Sequence, residues 1–226
     1  MCGRFKLTIP FSEIVRLYNL TFSGVNLKPR YNIAPLQDVL AVRSNPETHE
    51  RTGDMLRWGL IPLWAKDAKI GYSMINAKAE TVAEKPAFRE AFKSRRCMLP
   101  ADGFYEWQKL DAKTKQPYLI QMKDQSLFGF AGLWERWKDK ASGETVQSCT
   151  IITTEPNELC APSHNRMPVI LDPKNYGAWL GETTASRDER LALLRPYPAK
   201  KMEAYKIGPR IGSVKNDDPA LIERVA

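Results

Sequence analysis

The sequence predicts an α+β fold with a mainly antiparallel, curved or barrel-like β core flanked by short helices. Two observations carry this. Strand-like apolar runs follow one another instead of alternating with helical segments, which argues against a doubly wound parallel sheet. Helical patterns are few and short, and they fall early, midway and late in the chain. The 226 residues carry no internal repeat and no low-complexity linker, so residues 1–226 are expected to form a single domain. An apolar content of 43 % is enough for a real core.

From the N-terminus, Phe11-Ser12-Glu13 followed by Ile14, Val15, Leu17 and Tyr18 reads as a short helix capped by Ser12. Residues 38–43 and 55–61 read as strands. Pro86 can open a helix that carries Ala87, Phe88, Ala91 and Phe92 on one face. Arg89, Lys93, Arg95 and Arg96 then make its outer side basic. Strands are expected over 97–107, 118–122, 127–134 and 146–154, with hairpin tips at 113–116 and 139–143. Ser186-Arg187-Asp188-Glu189 is a capping-box signature ahead of Leu191, Leu193 and Leu194.

Composition excludes several classes of function. No apolar stretch reaches the ~18 residues of a membrane span, and the N-terminus lacks the apolar run of a signal peptide. The four cysteines (Cys2, Cys97, Cys149, Cys160) show no C-x-x-C and no close pairing, which fits a reducing cytoplasm without disulfides. Two histidines, His49 and His164, are too few for most metal sites, so neither metal nor cofactor is expected. The formal net charge of +8 fits a solvated surface or, less often, a nucleic-acid partner.

Chemistry points to the first residues, Met1-Cys2-Gly3-Arg4-Phe5. Removal of Met1 would leave Cys2 with a thiol and an α-amine on adjacent carbons. Such an aminothiol condenses with an aldehyde, first as an imine and then as a thiazolidine ring closed by sulfur. An α-amine titrates near ~8 against ~10.4 for lysine, which leaves roughly 250 times more free base per group at neutral pH. A cysteine thiol, near ~8.5, is already strongly nucleophilic.

Three polar clusters accompany it. Asn76 follows two apolar residues in Met74-Ile75-Asn76-Ala77-Lys78-Ala79-Glu80-Thr81, as a turn former or as a buried hydrogen-bonding group. Glu106 stands between aromatics in Asp102-Gly103-Phe104-Tyr105-Glu106-Trp107. By strand alternation it shares a face with Phe104, while Tyr105 and Trp107 lie opposite. It is then either a solvent-face residue or a carboxylate whose apolar setting raises its pKa toward neutrality. His164 opens His164-Asn165-Arg166-Met167-Pro168, as a packing residue or as one facing an anion beside Arg166.

Taken together with Tyr31-Asn32-Ile33-Ala34-Pro35, Trp58-Gly59-Leu60-Ile61-Pro62 and Val214-Lys215-Asn216, these blocks resemble, in order and over nearly the whole chain, those of the SRAP family, the SOS-response-associated peptidase-like proteins that process abasic sites. The resemblance implies a protein that crosslinks itself to abasic sites in single-stranded DNA during the SOS response. It acts without cofactor or membrane partner, as a cytoplasmic monomer, nucleoid-associated in a bacterium. By that carry-over Cys2 is the nucleophile, Asn76 holds the sugar or the terminal amine, Glu106 moves protons, and His164 bonds the opened sugar. Arg4, Arg166 and Lys78 are the implied phosphate contacts, and Trp64 with Pro35 stacks on or wedges the strand. Lys78 stands where arginine is frequent in the family, and Ala65 follows Trp64 where a second aromatic is frequent. The imine also opens an AP-lyase branch. The peptidase in the family name fits release of Met1, by the protein itself or by a host aminopeptidase.

Two rival classes remain at this level. N-terminal-nucleophile hydrolases of the glutamine amidotransferase type also begin Met-Cys-Gly and use the terminal cysteine. They rely on an Asn-Gly turn, and no Asn-Gly dipeptide occurs here. A plain single-stranded-DNA-binding module needs only the charge and the tryptophans, and gives the four polar residues no role.

Overall fold

The computed structural model describes residues 2–22 and 27–225. In chain order its strands are β1 (Phe5–Leu7), β2 (Leu20–Phe22), β3 (Arg30–Ile33), β4 (Asp38–Ser44), β5 (Arg51–Trp58), β6 (Asn76–Lys78) and β7 (Arg96–Ala101). There follow β8 (Gly103–Lys109), β9 (Lys115–Met122), β10 (Phe128–Lys138), β11 (Thr145–Thr154), β12 (Met167–Pro168), β13 (Ile170–Leu171) and β14 (Met202–Lys206). The helices are short: α1 (Phe11–Tyr18), α2 (Arg89–Ser94), α3 (Tyr176–Leu180) and α4 (Arg187–Ala192).

Five strands close on themselves. β11 pairs with β10, β10 with β7, β7 with β4 and β4 with β5, all antiparallel. A parallel contact of Ser148 and Cys149 with Arg57 and Trp58 returns β5 to β11. Closure leaves the ring without open edges, and every residue of β7, at its middle, is buried. The expected antiparallel, barrel-like core is therefore present, with helices on its flanks.

A second sheet, in the order β14-β9-β8-β1-β3, packs against the barrel. The chain passes from one to the other at Asp102, which splits the long strand expected over 97–107 into β7 and β8. Phe5 sits in the seam, edge-on to Trp58 at 5.2 Å and to Phe130 at 5.8 Å, with Phe104 6.0 Å from Phe130. One apolar cluster runs from Cys2 to Met202 through both sheets. β1 is pinned by a buried ion pair, Lys6 Nζ to Asp102 Oδ2 at 3.0 Å. Asp102 also accepts from Thr8 N at 3.2 Å and from the Thr8 hydroxyl.

Local expectations need five further corrections. The hairpin tip expected over 113–116 lies at 110–114, because Lys115 already opens β9. Helix α1 begins where expected, but its cap position is Pro10 with no side-chain cap; Ser12 lies inside the first turn. Pro86 starts a turn, and α2 begins only at Arg89. Arg96 is not on a basic outer face. It opens β7, is buried, and donates to the carbonyls of Phe92 (2.8 Å), Lys93 and Trp179, closing the C-terminal end of α2. Burial lowers its pKa to about 10. The strand expected over 55–61 starts earlier, at Arg51, and stops at Trp58, because Gly59 turns away at φ 139°. The capping box at Ser186 and Glu189 is present.

Candidate active site

The register of β1 brings the start of the chain to Glu106. Phe5 faces Phe104 and Lys6 faces Gly103, while Tyr105 N donates to Arg4 O at 3.0 Å. Continued backward, that antiparallel run lays Cys2 and Gly3 beside Glu106. Cys2 is fully buried. Burial, and then the Glu106 charge, push its thiol well above the ordinary range. The sulfur is therefore held as a thiol, and it becomes a nucleophile only with a base at hand.

Glu106 is the carboxyl beside it. It is 4 % exposed, on the face of β8 that Phe104 presents to the core. Tyr105 and Trp107, on the other face, pack with Ile207 and Ile211 in a separate apolar cluster. Desolvation raises the Glu106 carboxyl from the usual range to about 7, so it can both give and take a proton near neutrality.

Asn76 opens β6, which adds in parallel to β11 with Asn76 opposite Ile151. Its amide nitrogen donates to Cys2 O at 2.9 Å. Its Oδ1 is buried with no hydrogen-bond partner among the described residues. A buried amide oxygen left without a donor is costly, and this one lies beside the end of the chain that carries the thiol.

His164 lines a groove of about 700 Å³ together with Glu106, Trp107 and Gly212. Its Nδ1 accepts from Arg166 N at 3.0 Å. Burial lowers its pKa, so the neutral ring carries its proton on Nε2 and offers a donor. Cys160, one turn earlier, is a neighbour that sequence reasoning passed over. Burial and then Glu106 hold its thiol up at about 12, which leaves it inert. Only its position one turn ahead of His164 could have marked it.

The residues assigned to DNA fall into two groups. Arg4 and Arg166 border the site but are engaged by the protein. Arg4 donates to Asn32 Oδ1 (2.7 Å), Ile211 O (2.9 Å) and Gly212 O (3.1 Å). Asn32 in turn holds Ser213 O and Asn216 O, so three of the sequence blocks meet there. Arg166 grips Glu80 through two hydrogen bonds, 2.7 and 2.9 Å, and also reaches Thr153 O. Lys78 is exposed and shares with Asn76, Thr81 and Lys85 a second cavity of about 320 Å³. Pro35 and Trp64 line neither cavity, though Trp64 is 58 % exposed rather than part of the core. Met1, whose removal the chemistry requires, lies outside the described residues. Among the described residues no cluster of three or more His, Cys, Asp or Glu could hold a metal, and no helix is long and apolar enough to cross a membrane.

Barrel and site together define a small α+β protein whose second residue is built into the wall between its two sheets, facing a buried carboxyl. Comparison with known proteins makes this specific. The chain belongs to the family described as SOS response associated peptidase (SRAP), whose model matches residues 1–214. It is 49 % identical over 225 residues to the abasic site processing protein YoqW of Bacillus subtilis, covering 99 % of each chain. It is 30 % identical to the abasic site processing protein HMCES of Xenopus tropicalis, covering 88 % of this chain and 65 % of that one. A crystal structure of a Bacteroides thetaiotaomicron protein superposes over 100 % of both chains, with TM-score 0.89 and 30 % identity.

Proposed function

We propose that this protein processes abasic sites by joining Cys2 covalently to the ring-opened sugar in single-stranded DNA. The α-amine of Cys2, freed by loss of Met1, adds to the C1 aldehyde and water leaves as the imine forms. The sulfur then adds to carbon across the protonated C=N bond as the thiol gives up its proton; nitrogen keeps its one remaining amine proton, and the product is the substrate plus protein minus one water. Glu106 first donates the proton that the departing hydroxyl needs, then takes the one that the thiol must lose. His164 Nε2–H bonds the opened sugar. Asn76 Oδ1 receives the terminal amine or a sugar hydroxyl.

The observation that carries this reading is the junction of Cys2, Asn76 and Glu106: a carbonyl held at 2.9 Å, a buried acceptor without a partner, and a carboxyl raised to about 7. The relatives are named for abasic site processing, which supports the substrate class of this reading. In the cell the protein would then belong to the response to DNA damage. Strand cleavage from the imine would be its lyase branch.

Intact mass after incubation with abasic single-stranded DNA tests the proposal. Loss of Met1 and a gain equal to the DNA minus one water are expected. Cys2→Ala should give no adduct that survives denaturation without borohydride, because an imine alone hydrolyses. A Cys2→Ala protein with the same stable adduct, or ammonia release from glutamine by the wild type, would overturn it.

A further inference from the structure

We propose that Lys109 and Lys115 form a phosphate-holding pair for the DNA strand beyond the abasic nucleotide. This rests on the function proposed above and extends its groove to residues that the sequence blocks do not include.

The two lysines face each other across the β8–β9 hairpin, in direct register. Directly opposed residues of an antiparallel pair share a face, with Cβ atoms about 5 Å apart, and like charges there are destabilising. Neither lysine has an ion pair among the described residues. The adjacent acid, Asp111, is turned onto the backbone N–H groups of Lys113 and Thr114 at 2.7 Å each. The hairpin therefore holds two exposed cations in register, neither ion-paired to the Asp111 carboxylate among the described residues, and a bound anion would relieve their repulsion.

Their location says which anion. Both line the groove that contains Glu106 and His164. That groove opens along β8 because β1 pairs only through Phe5 and Lys6, leaving the stretch beyond Glu106 without a strand on that side. Lys109 lies three residues past Glu106, about 10 Å along the strand, on the face that Trp107 shares, and it lines the groove beside Trp107. An abasic sugar seated at Cys2 would thus send its neighbouring backbone past this pair. Lysine ammonium groups suit such a contact, since they act as point charges without demanding one phosphate geometry.

The test uses the intact protein and single-stranded oligonucleotides. For the double variant Lys109→Ala, Lys115→Ala, the half-saturating concentration of abasic DNA should rise about tenfold, and the slope of log affinity against log salt should fall by about 0.7 for each phosphate no longer neutralised. The adduct rate at saturating DNA should match wild type, and Lys109→Arg, Lys115→Arg should restore affinity. The difference should vanish on a probe trimmed of its flanking nucleotides. Unchanged half-saturation and salt slope, or an equal loss on the trimmed probe, would overturn the pair. So would a lowered melting temperature, because relief of the like-charge repulsion should leave the fold as stable or more so. Binding of undamaged oligonucleotide, read by fluorescence anisotropy, separates this result from a failure of the crosslinking chemistry itself.

Discussion

At the scale of single residues, the site trades stability for chemistry at Glu106. Its carboxyl is raised to about 7 in the folded protein, against about 4.3 in an unfolded chain. Between those values the folded state binds more protons than the unfolded one, so its stability falls as pH rises from about 4.3 to 7. Glu106→Gln removes the penalty. It is expected to melt above wild type at pH 8 and together with it near pH 4, as read by thermal scans, while adduct formation slows. Asn76→Ala strips the donor from the Cys2 carbonyl and should slow adduct formation about 10- to 100-fold through misplacement of the nucleophile; single-turnover gel assays measure this. Part of this was legible in sequence. A glutamate between aromatics left a solvent-facing and a buried carboxyl both open, and the structure has the buried one; alternation gave the face shared with Phe104. The internal partners of Arg4 and Arg166 were not legible, since they lie on segments up to about 200 residues away, at Gly212 and Glu80. Nor was the histidine tautomer, which depends on one backbone N–H.

At the scale of elements, the reactive end is positioned by a strand too short to announce itself. Phe5–Leu7 is held by neighbours and by Asp102, with no periodicity of its own. Asp102→Ala leaves Lys6 buried without its partner and should cost about 3–5 kcal/mol, measured by urea unfolding. The apolar runs that became β4, β9, β10 and β11 were readable, because each buries an unbroken stretch of at least four residues. Strands of two to four residues such as β3, β6 and β12 were not, since pairing partners rather than pattern create them. Ser12 shows the same limit at a helix end: the residue type was right for a cap, but Pro10 occupies the position. The turn at Gly59 is the most constrained of the connections. Its φ is 139°, and a Cβ there would stand 2.7 Å from Gly71 O. Gly59→Ala should therefore lower stability by about 1–3 kcal/mol, seen as a lower melting temperature, and should displace the loop that bears Trp64.

At the scale of the whole molecule, a curved or barrel-like core was foreseeable from consecutive strands, but which strands seal it was not. Closure rests on a parallel contact of two residues on each side, 57–58 with 148–149, which leaves no trace in hydrophobic pattern. Pairings of this span, with that of Phe5 to Phe104, give the fold a high contact order. Refolding from urea is expected on the millisecond-to-second scale of β-rich domains rather than in microseconds, as stopped-flow tryptophan fluorescence would report. The same long seam sets an order of events during synthesis. The segment bearing Cys2 is made about 150 residues ahead of β11, the stave that seals the barrel, so some 7 to 30 s pass between them at ordinary elongation rates. On the chemistry proposed above, an aminothiol freed during synthesis would stand unsheathed for that interval, open to stray cellular carbonyls before the barrel encloses it.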